Sequence, residues 1–453
     1  MARILIANRG EIACRVARTC HRLGHEVVAV YSDADAKARH VTAADVALPI
    51  GPAKPAESYL RGDKILAAAS SSKADAIHPG YGFLAENAEF AKSVEQAGLK
   101  WIGPAPRSIS DMGDKERARD LADAAGVPIL PGSRRFAAGE TSDLSAAAKH
   151  VGYPLLVKAA AGGGGIGMRL VEKPEDLSKV AEATQSLAER AFGDGTIFLE
   201  RYVRRARHIE VQVFGLGDGR AVHLFERECS IQRRFQKIIE ETPAPNLSAA
   251  TIQNMCAAAT ALTSNQRYAG AGTVEFILDA ETGDFYFLEM NTRIQVEHPI
   301  TEETTGHDLV ALQLKLAFAD DLSQLSQENI TRSGHAIEFR LCAEDPRKMF
   351  LPSPGPLNTL AFPRDTAGLR IDTGVDQGDV ITPFYDPMIA KIIVFGQTRD
   401  QALEISSAAI SATRVEGIAT NLEFLGRCAE HPAFARGDIH TGFVEVHKAE
   451  LLQ

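Results

Sequence analysis

Two apolar segments each hold a single acid: Gly272-Thr273-Val274-Glu275-Phe276-Ile277-Leu278 and Phe285-Tyr286-Phe287-Leu288-Glu289-Met290-Asn291. The midpoint of positions 275 and 289 is residue 282, inside the turn Asp279 to Asp284. A simple antiparallel hairpin therefore sets the two carboxylates opposite each other, close enough to repel. Buried strands do not place paired anions there without a cation between them, whereas a solvated sheet face tolerates them. Asn291 and Arg293 share the face of Glu289 by the period of two. Oxygen ligands of this kind suit Mg2+ or Mn2+ bridging phosphates. A second cluster, Gly162-Gly163-Gly164-Gly165-Ile166-Gly167, lies between the strand-like Leu155–Lys158 and Met168–Val171. Without Cβ atoms such a hairpin loop can bring its backbone N–H groups onto phosphates, with Lys158 as a point charge. It is not a Walker loop, because no Lys-Ser/Thr pair follows the glycines into a helix.

The second strand runs into a dense polar stretch, Asn291-Thr292-Arg293-Ile294-Gln295-Val296-Glu297-His298-Pro299. Arg293 offers a planar fork for a carboxylate-like anion, and Glu297 a general base. An ordinary salt bridge is the commoner fate of any one of them, and His298 reads as structural. Arg207-His208-Ile209-Glu210-Val211-Gln212-Val213 alternates as a half-buried strand with His208, Glu210 and Gln212 on its polar face. From Glu226 to Pro245 the charges (Glu228, Arg233, Arg234, Lys237, Glu240, Glu241) follow neither period, which predicts a solvated loop.

These groups need a scaffold. Ile4 to Ala7, a helical pattern from Gly10 to Leu23 stopped by Gly24, and the β-branched run Glu26 to Tyr31 make a β-α-β unit. The alternation continues to about Gly103, so a parallel sheet with flanking helices is predicted. Asp33 ends the second strand where a ribose-binding acid would sit. The turn Asn8-Arg9-Gly10-Glu11 nevertheless lacks the spaced glycines of a dinucleotide site. A helix is predicted over about 108–125, another reaching Arg190, and a last one near 400–411.

With 453 residues, 45% hydrophobic and 24% charged, the chain suits about three globular domains. Forty-nine basic against 59 acidic residues give a net charge of −10, which argues against a nucleic-acid or anionic-membrane surface. No apolar run is long enough to span a membrane or to form a signal peptide. The six cysteines, scattered without CxxC or metal-finger spacing, predict a reduced, cytoplasmic protein.

In order along the chain, these segments resemble the biotin carboxylase component of biotin-dependent carboxylases. The resemblance runs from Ile6-Ala7-Asn8-Arg9-Gly10-Glu11-Ile12-Ala13 to Gly417-Ile418-Ala419-Thr420-Asn421. Between them come His78-Pro79-Gly80-Tyr81-Gly82-Phe83-Leu84, Lys158 with its glycine loop, Glu228-Cys229-Ser230-Ile231-Gln232-Arg233-Arg234, Glu289 to Pro299, Phe350 to Gly355 and Asp386 to Lys391. It implies an α/β chain, α+β in its C-terminal part, with an ATP-grasp fold. A Rossmann-like N-terminal domain would span 1–113 and an ATP-grasp domain 114–330, with a mobile lid at about 131–203. A biotin carboxylase C-terminal domain would span 331–453.

The implied reaction turns ATP and bicarbonate into carboxyphosphate and ADP, then moves the carboxyl group to the ureido nitrogen of biotin. By resemblance Lys115, Lys158, Gly163, Gly164, Gly165, Glu200 and His208 hold ATP, with Glu275 and Glu289. Glu275, Glu289 and Asn291 hold two Mg2+ or Mn2+ ions. Lys237, Arg293, Gln295 and the Val296 backbone hold bicarbonate, Glu297 deprotonates it, and Arg340 with Tyr81 faces biotin. No Ala-Met-Lys-Met-type motif occurs, so the resemblance implies biotin on a separate carrier protein, a carboxyltransferase elsewhere, and a homodimer. Acetyl-CoA carboxylase of fatty acid biosynthesis is the implied type, with propionyl-CoA, pyruvate or other acceptors open. Ile166 and Phe235 depart from the pattern, replacing a basic residue and a His. The competing readings are a different ATP-grasp carboxylate ligase and a non-catalytic ATP-binding regulatory subunit.

Overall fold

The computed structural model describes residues 1–160, 167–233 and 236–452. Its N-terminal part is a five-stranded parallel sheet of order β3-β2-β1-β4-β5. The strands are β1 (Arg3–Ile6), β2 (Glu26–Ser32), β3 (Val46–Gly51), β4 (Ala76–His78) and β5 (Lys100–Trp101). β1 is buried because its aliphatics are covered on both faces, as in other parallel sheets. Helix α1 (Gly10–Arg22) follows it with Glu11 in its first turn and His21 and Arg22 in its last, complementing the helix dipole.

A three-stranded antiparallel sheet of order β7-β6-β8 comes next, from β6 (Leu155–Ala159), β7 (Met168–Val171) and β8 (Ile197–Arg201). The β6–β7 hairpin flanks the glycine cluster as expected, and the helix Leu177–Phe192 packs beside it. The helix expected over 108–125 is two helices, Pro106–Gly113 and Lys115–Ala124. Asp114 divides them: it is extended (φ −89°, ψ 113°), and its carboxylate accepts from the Glu116 and Arg117 amides, both at 3.0 Å. It is an N-cap, and it sets Lys115 in the first turn of the second helix.

The body of the molecule is an eight-stranded antiparallel sheet. It comprises β9 (Ala206–Leu216), β10 (Ala221–Arg233), β11 (Gln236–Thr242), β12 (Ala269–Asp279), β13 (Phe285–Asn291), β14 (His335–Cys342) and the strands Leu369–Thr373 and Met388–Gly396. Their order is β13-β12-β9-β10-β11-β14, then Met388–Gly396 and Leu369–Thr373. The predicted solvated loop at Glu226–Pro245 is corrected here: those residues are mostly β10 and β11, in the middle of the sheet. Register shifts between His223 and Glu226 and between Glu228 and Gln232 break the period of two that would have marked a strand. The charges are satisfied by neighbouring strands rather than by water. Glu228 meets Arg207 at 2.7 Å, and Glu241 meets His335 at 2.6 Å and Arg399 at 2.8 Å. The β9 polar face is likewise more buried than a half-buried strand implies, since Glu210 and Gln212 are both wholly covered.

The C-terminal strands lean on the N-terminal unit at Gly374. A Cβ there would lie 2.3 Å from the Glu11 amide nitrogen and the Gly10 carbonyl carbon, backbone that has nowhere to move. Gly374→Ala should therefore lower the unfolding free energy by about 1–3 kcal/mol, read by urea denaturation.

Candidate active site

A cavity of about 1620 Å³ opens between the sheets. Its lining includes Tyr81, Glu200, His208, Lys237, Glu275, Glu289, Asn291, Arg293, Gln295, Val296 and Arg340. Most of the residues expected from sequence thus border one cavity. Lys158 is not among the lining residues, but its Nζ lies 2.7 Å from Glu200 Oε1 across the β6–β8 pair. Lys115 is exposed, and its charge reaches Glu289. Gly163, Gly164, Gly165, Ile166 and Phe235 lie outside the described residues.

The acid pair forms as predicted: Glu275 stands directly opposite Glu289. The hairpin is not simple, however. Phe276 pairs with Phe287, so Leu288 is an extra residue bulging from β13 between the two registers. That bulge, which leaves Leu288 exposed, is what turns Glu289 onto the face of Glu275. Glu275 is buried and accepts from Lys237 Nζ at 2.8 Å, His208 Nε2 at 2.7 Å and Asn291 Nδ2 at 2.9 Å. Gln232 donates to His208 Nδ1 at 2.7 Å, which fixes the ring as an Nε2–H donor toward Glu275. Burial opposes ionisation of Glu275, but Lys237 and His208 outweigh it and hold its pKa below the usual carboxylate range. Glu289 moves the other way, raised by burial and by the Glu275 charge. It has no hydrogen bond or ion pair among the described residues. A carboxylate without a partner, opposite a second one and two residues before Asn291 on the same strand, is a donor set that fits a hard divalent cation.

Lys237 is the hub of the anionic groups. Its Nζ lies 2.6 Å from Glu210 Oε2, 2.8 Å from Glu275 Oε1 and 2.8 Å from Glu297 Oε1. Burial works against its charge, yet the three acids lift its pKa well above the ordinary lysine value. Glu297 is fully buried, with Arg340 Nη2 3.0 Å from its Oε2. Burial again opposes ionisation, and Lys237, Arg340 and Arg227 overcome it, so Glu297 is a carboxylate at neutral pH. Arg293 donates to Gln295 Oε1 at 2.6 Å, Asn291 Oδ1 at 2.9 Å and Glu86 Oε2 at 2.8 Å. Tyr81 donates to Glu11, on the side of the cavity nearer Arg340.

Several participants escaped the sequence reading. Arg227 is wholly buried and bridges Glu210 (2.5 Å), Gln212 (2.7 Å) and Thr301 (3.0 Å). Its bulged strand gives no one-dimensional signal. Lys391 did leave one, as a lone ammonium inside Met388-Ile389-Ala390-Lys391-Ile392-Ile393-Val394. Glu240 stands directly opposite Glu338, both fully buried, and Glu240 pairs with Arg340 at 2.5 Å. Two facing buried acids resist double ionisation. Burial chiefly, with Glu297 nearby, pushes Glu240 up to about 7.

The consequence for stability has a definite sign. Between about pH 4.5 and 7 the folded protein keeps a proton on Glu240 that the unfolded chain has released, so the contribution of Glu240 is lost as pH rises. Glu240→Gln removes that dependence. Its stability relative to the parent should improve from pH 5.5 to pH 7 by about 1 kcal/mol per pH unit, in urea titrations at each pH.

Residues 1–109 match the family model "Biotin carboxylase, N-terminal domain", residues 114–325 "Carbamoyl-phosphate synthase L chain, ATP binding domain", and residues 338–446 "Biotin carboxylase C-terminal domain". Biotin carboxylase 2 of Bacillus subtilis (strain 168) is 49% identical over 98% of this chain and 99% of its own length. The mitochondrial methylcrotonoyl-CoA carboxylase subunit alpha of Dictyostelium discoideum is 48% identical over 100% of this chain, which spans 64% of that longer relative. The biotin carboxylase domain dimer of Hydrogenobacter thermophilus 2-oxoglutarate carboxylase, solved with MgADP, ADP and bicarbonate, superposes with a TM-score of 0.89. It is 41% identical, covering 99% of this chain and 98% of that one. Among the described residues no helix is long and apolar enough to cross a membrane. With its five-stranded parallel sheet, its three-stranded hairpin sheet and its acid pair on the large antiparallel sheet, the chain has the ATP-grasp fold and belongs to the biotin carboxylase family.

Proposed function

We propose that the chain performs the ATP-dependent carboxylation of biotin by bicarbonate. The observation that carries this reading is the meeting of Glu210, Glu275 and Glu297 on Lys237, with Arg340 on the far oxygen of Glu297. That meeting supports Glu297 as a base held between an anion-binding lysine and a second cation. In the reaction, a bicarbonate oxygen attacks the γ-phosphorus of ATP, the bond to the bridging oxygen breaks, and ADP leaves. Glu297 accepts the bicarbonate proton, and Lys237, Arg293, Gln295 and the Val296 N–H hold the anion. Lys115, Lys158, Glu200 and His208 position the nucleotide. Glu275, Glu289 and Asn291 would hold Mg2+ or Mn2+, which supplies charge neutralisation of the phosphates. The C–O bond of carboxyphosphate then breaks, its carboxyl group passes to the ureido nitrogen of biotin, and the departing phosphate takes the ureido N–H proton. Arg340 and Tyr81 stand at that end, Arg340 stabilising the biotin enolate.

The domain division that accompanies this reading is 1–113, 114–330 and 331–453, with the segment 131–203 as the lid that keeps water from the mixed anhydride. Biotin arrives on a separate carrier protein, and a carboxyltransferase subunit takes the carboxyl onward. An acyl-CoA acceptor, the class that includes acetyl-CoA, is supported by the methylcrotonoyl-CoA relatives. A homodimer is supported by the dimeric Hydrogenobacter domain, and a cytoplasmic location by six free cysteines. ADP release from Mg·ATP and bicarbonate, with and without free biotin, tests the reading. Stimulation by biotin supports it. Nucleotide binding without a biotin response would favour another ligase of this fold.

A further inference from the structure

The Val296 amide is well placed to bind an anion, but a single backbone N–H on a loop has no fixed direction of its own. Val296 is half-buried, lines the cavity, and donates no hydrogen bond among the described residues. Its N–H belongs to the peptide plane it shares with the Gln295 carbonyl. That peptide is trans, since the cis bonds among the described residues are at Pro154 and Pro243. In a trans peptide the carbonyl and the N–H point in opposite directions, so anchoring one aims the other.

The Gln295 carbonyl is anchored. The His298 Nδ1–H donates to it at 2.8 Å, from a ring with no solvent exposure, and the His298 backbone N–H adds a longer bond at 3.4 Å. Burial first, then Lys391, Arg15 and Arg370, keep His298 neutral, so the ring offers a single N–H; the Nε2 side has no hydrogen-bond partner and lies 3.8 Å from Glu302. The next plane is anchored too. Lys391 Nζ, also wholly buried, donates to the Val296 carbonyl at 2.9 Å and pairs with Glu11 at 3.1 Å. Two successive carbonyls are thus held from inside the protein by side chains that touch neither the cavity nor each other's target.

From this geometry we infer that His298 and Lys391 are positioning residues for bicarbonate, clamping the two peptide planes around Val296 so that its N–H faces the cavity. The inference rests on the proposed use of that amide and adds which groups aim it. It also gives His298, which reads as structural in the sequence, a role in substrate affinity.

The test compares two replacements of His298 by their KM values. Leu keeps the apolar bulk and loses the donor, whereas Asn loses bulk but keeps an amide N–H near the Nδ1 position. A merely structural histidine predicts that His298→Leu is the milder change. The clamp predicts the opposite order: KM for bicarbonate up about tenfold in His298→Leu, with KM for ATP within about twofold. In His298→Asn the bicarbonate KM should stay within about threefold of the parent. Lys391→Met should also raise the bicarbonate KM selectively, and it serves if His298→Leu does not fold. Equal bicarbonate KM values in the Leu and Asn variants, or an ATP KM that rises in step, would overturn the clamp. Absence of bicarbonate-dependent ADP release in the unmutated protein would overturn the underlying reading instead.

Discussion

Glu297→Gln should lower the rate of bicarbonate-dependent ADP formation by about a thousandfold, while the dissociation constant for ATP changes by less than about threefold. The substitution keeps the size of a fully buried side chain but removes its charge, its capacity to take a proton and one of the two acceptor oxygens that Lys237 and Arg340 now use. Glu297 stays ionised because Lys237, Arg340 and Arg227 outweigh the cost of its burial. In the variant that charge is gone, and bicarbonate must lose its proton unaided. ATP binding should be spared because Lys158, Glu200 and His208, proposed above to hold the nucleotide, make no contact with Glu297 among the described residues. Product formation in single turnovers and ATP titration calorimetry separate the two quantities. A fall of less than tenfold would remove Glu297 from the role of base.

Lys237→Met should produce the largest loss of stability of any change in the cavity wall, about 3–5 kcal/mol at neutral pH. Its ammonium is the shared partner of three carboxylates, of which Glu210 and Glu297 are wholly buried. Arg227 still answers Glu210, at 2.5 Å, and Arg340 still answers Glu297, so the loss stays short of unfolding. Without Lys237 burial should raise the folded-state pKa of Glu275 and of Glu297 above the unfolded value. The deficit should therefore shrink as pH falls from 7 toward 5, because protonation of those acids then favours the variant's folded state. Urea titrations at both pH values measure it. A deficit under about 1 kcal/mol, or one that grows on acidification, would mean the acids do not depend on this lysine.

Much of the site is legible in one dimension where a charge interrupts an apolar strand. Glu275 and Glu289 stand out against Val274, Phe276, Phe287 and Met290, and pair across the bulge at Leu288. The run from Asn291 to Glu297 is dense enough in polar types to be noticed without a fold. The N-terminal β-α-β unit follows from periodicity and from Gly24 at φ 77°. What is illegible has a physical cause in each case. β10 and β11 are hidden because bulges break their period and because their charges are neutralised across strands, a relation invisible along the chain. Asp114 divides a helix by capping, although Asp is only mildly unfavourable within one. The Leu288 bulge, which sets Glu289 against Glu275, depends on the neighbouring strand rather than on leucine. His298 is unremarkable by type and spacing. Its interest lies in the carbonyl it holds.

The most direct test of the central claim is transfer of label from bicarbonate to biotin by the purified protein with Mg·ATP. Labelled carboxybiotin formed in proportion to ADP, and absent in Glu297→Gln, is the predicted result. ADP formed at the same rate with no label on biotin, whether free or on a carrier protein, would contradict it.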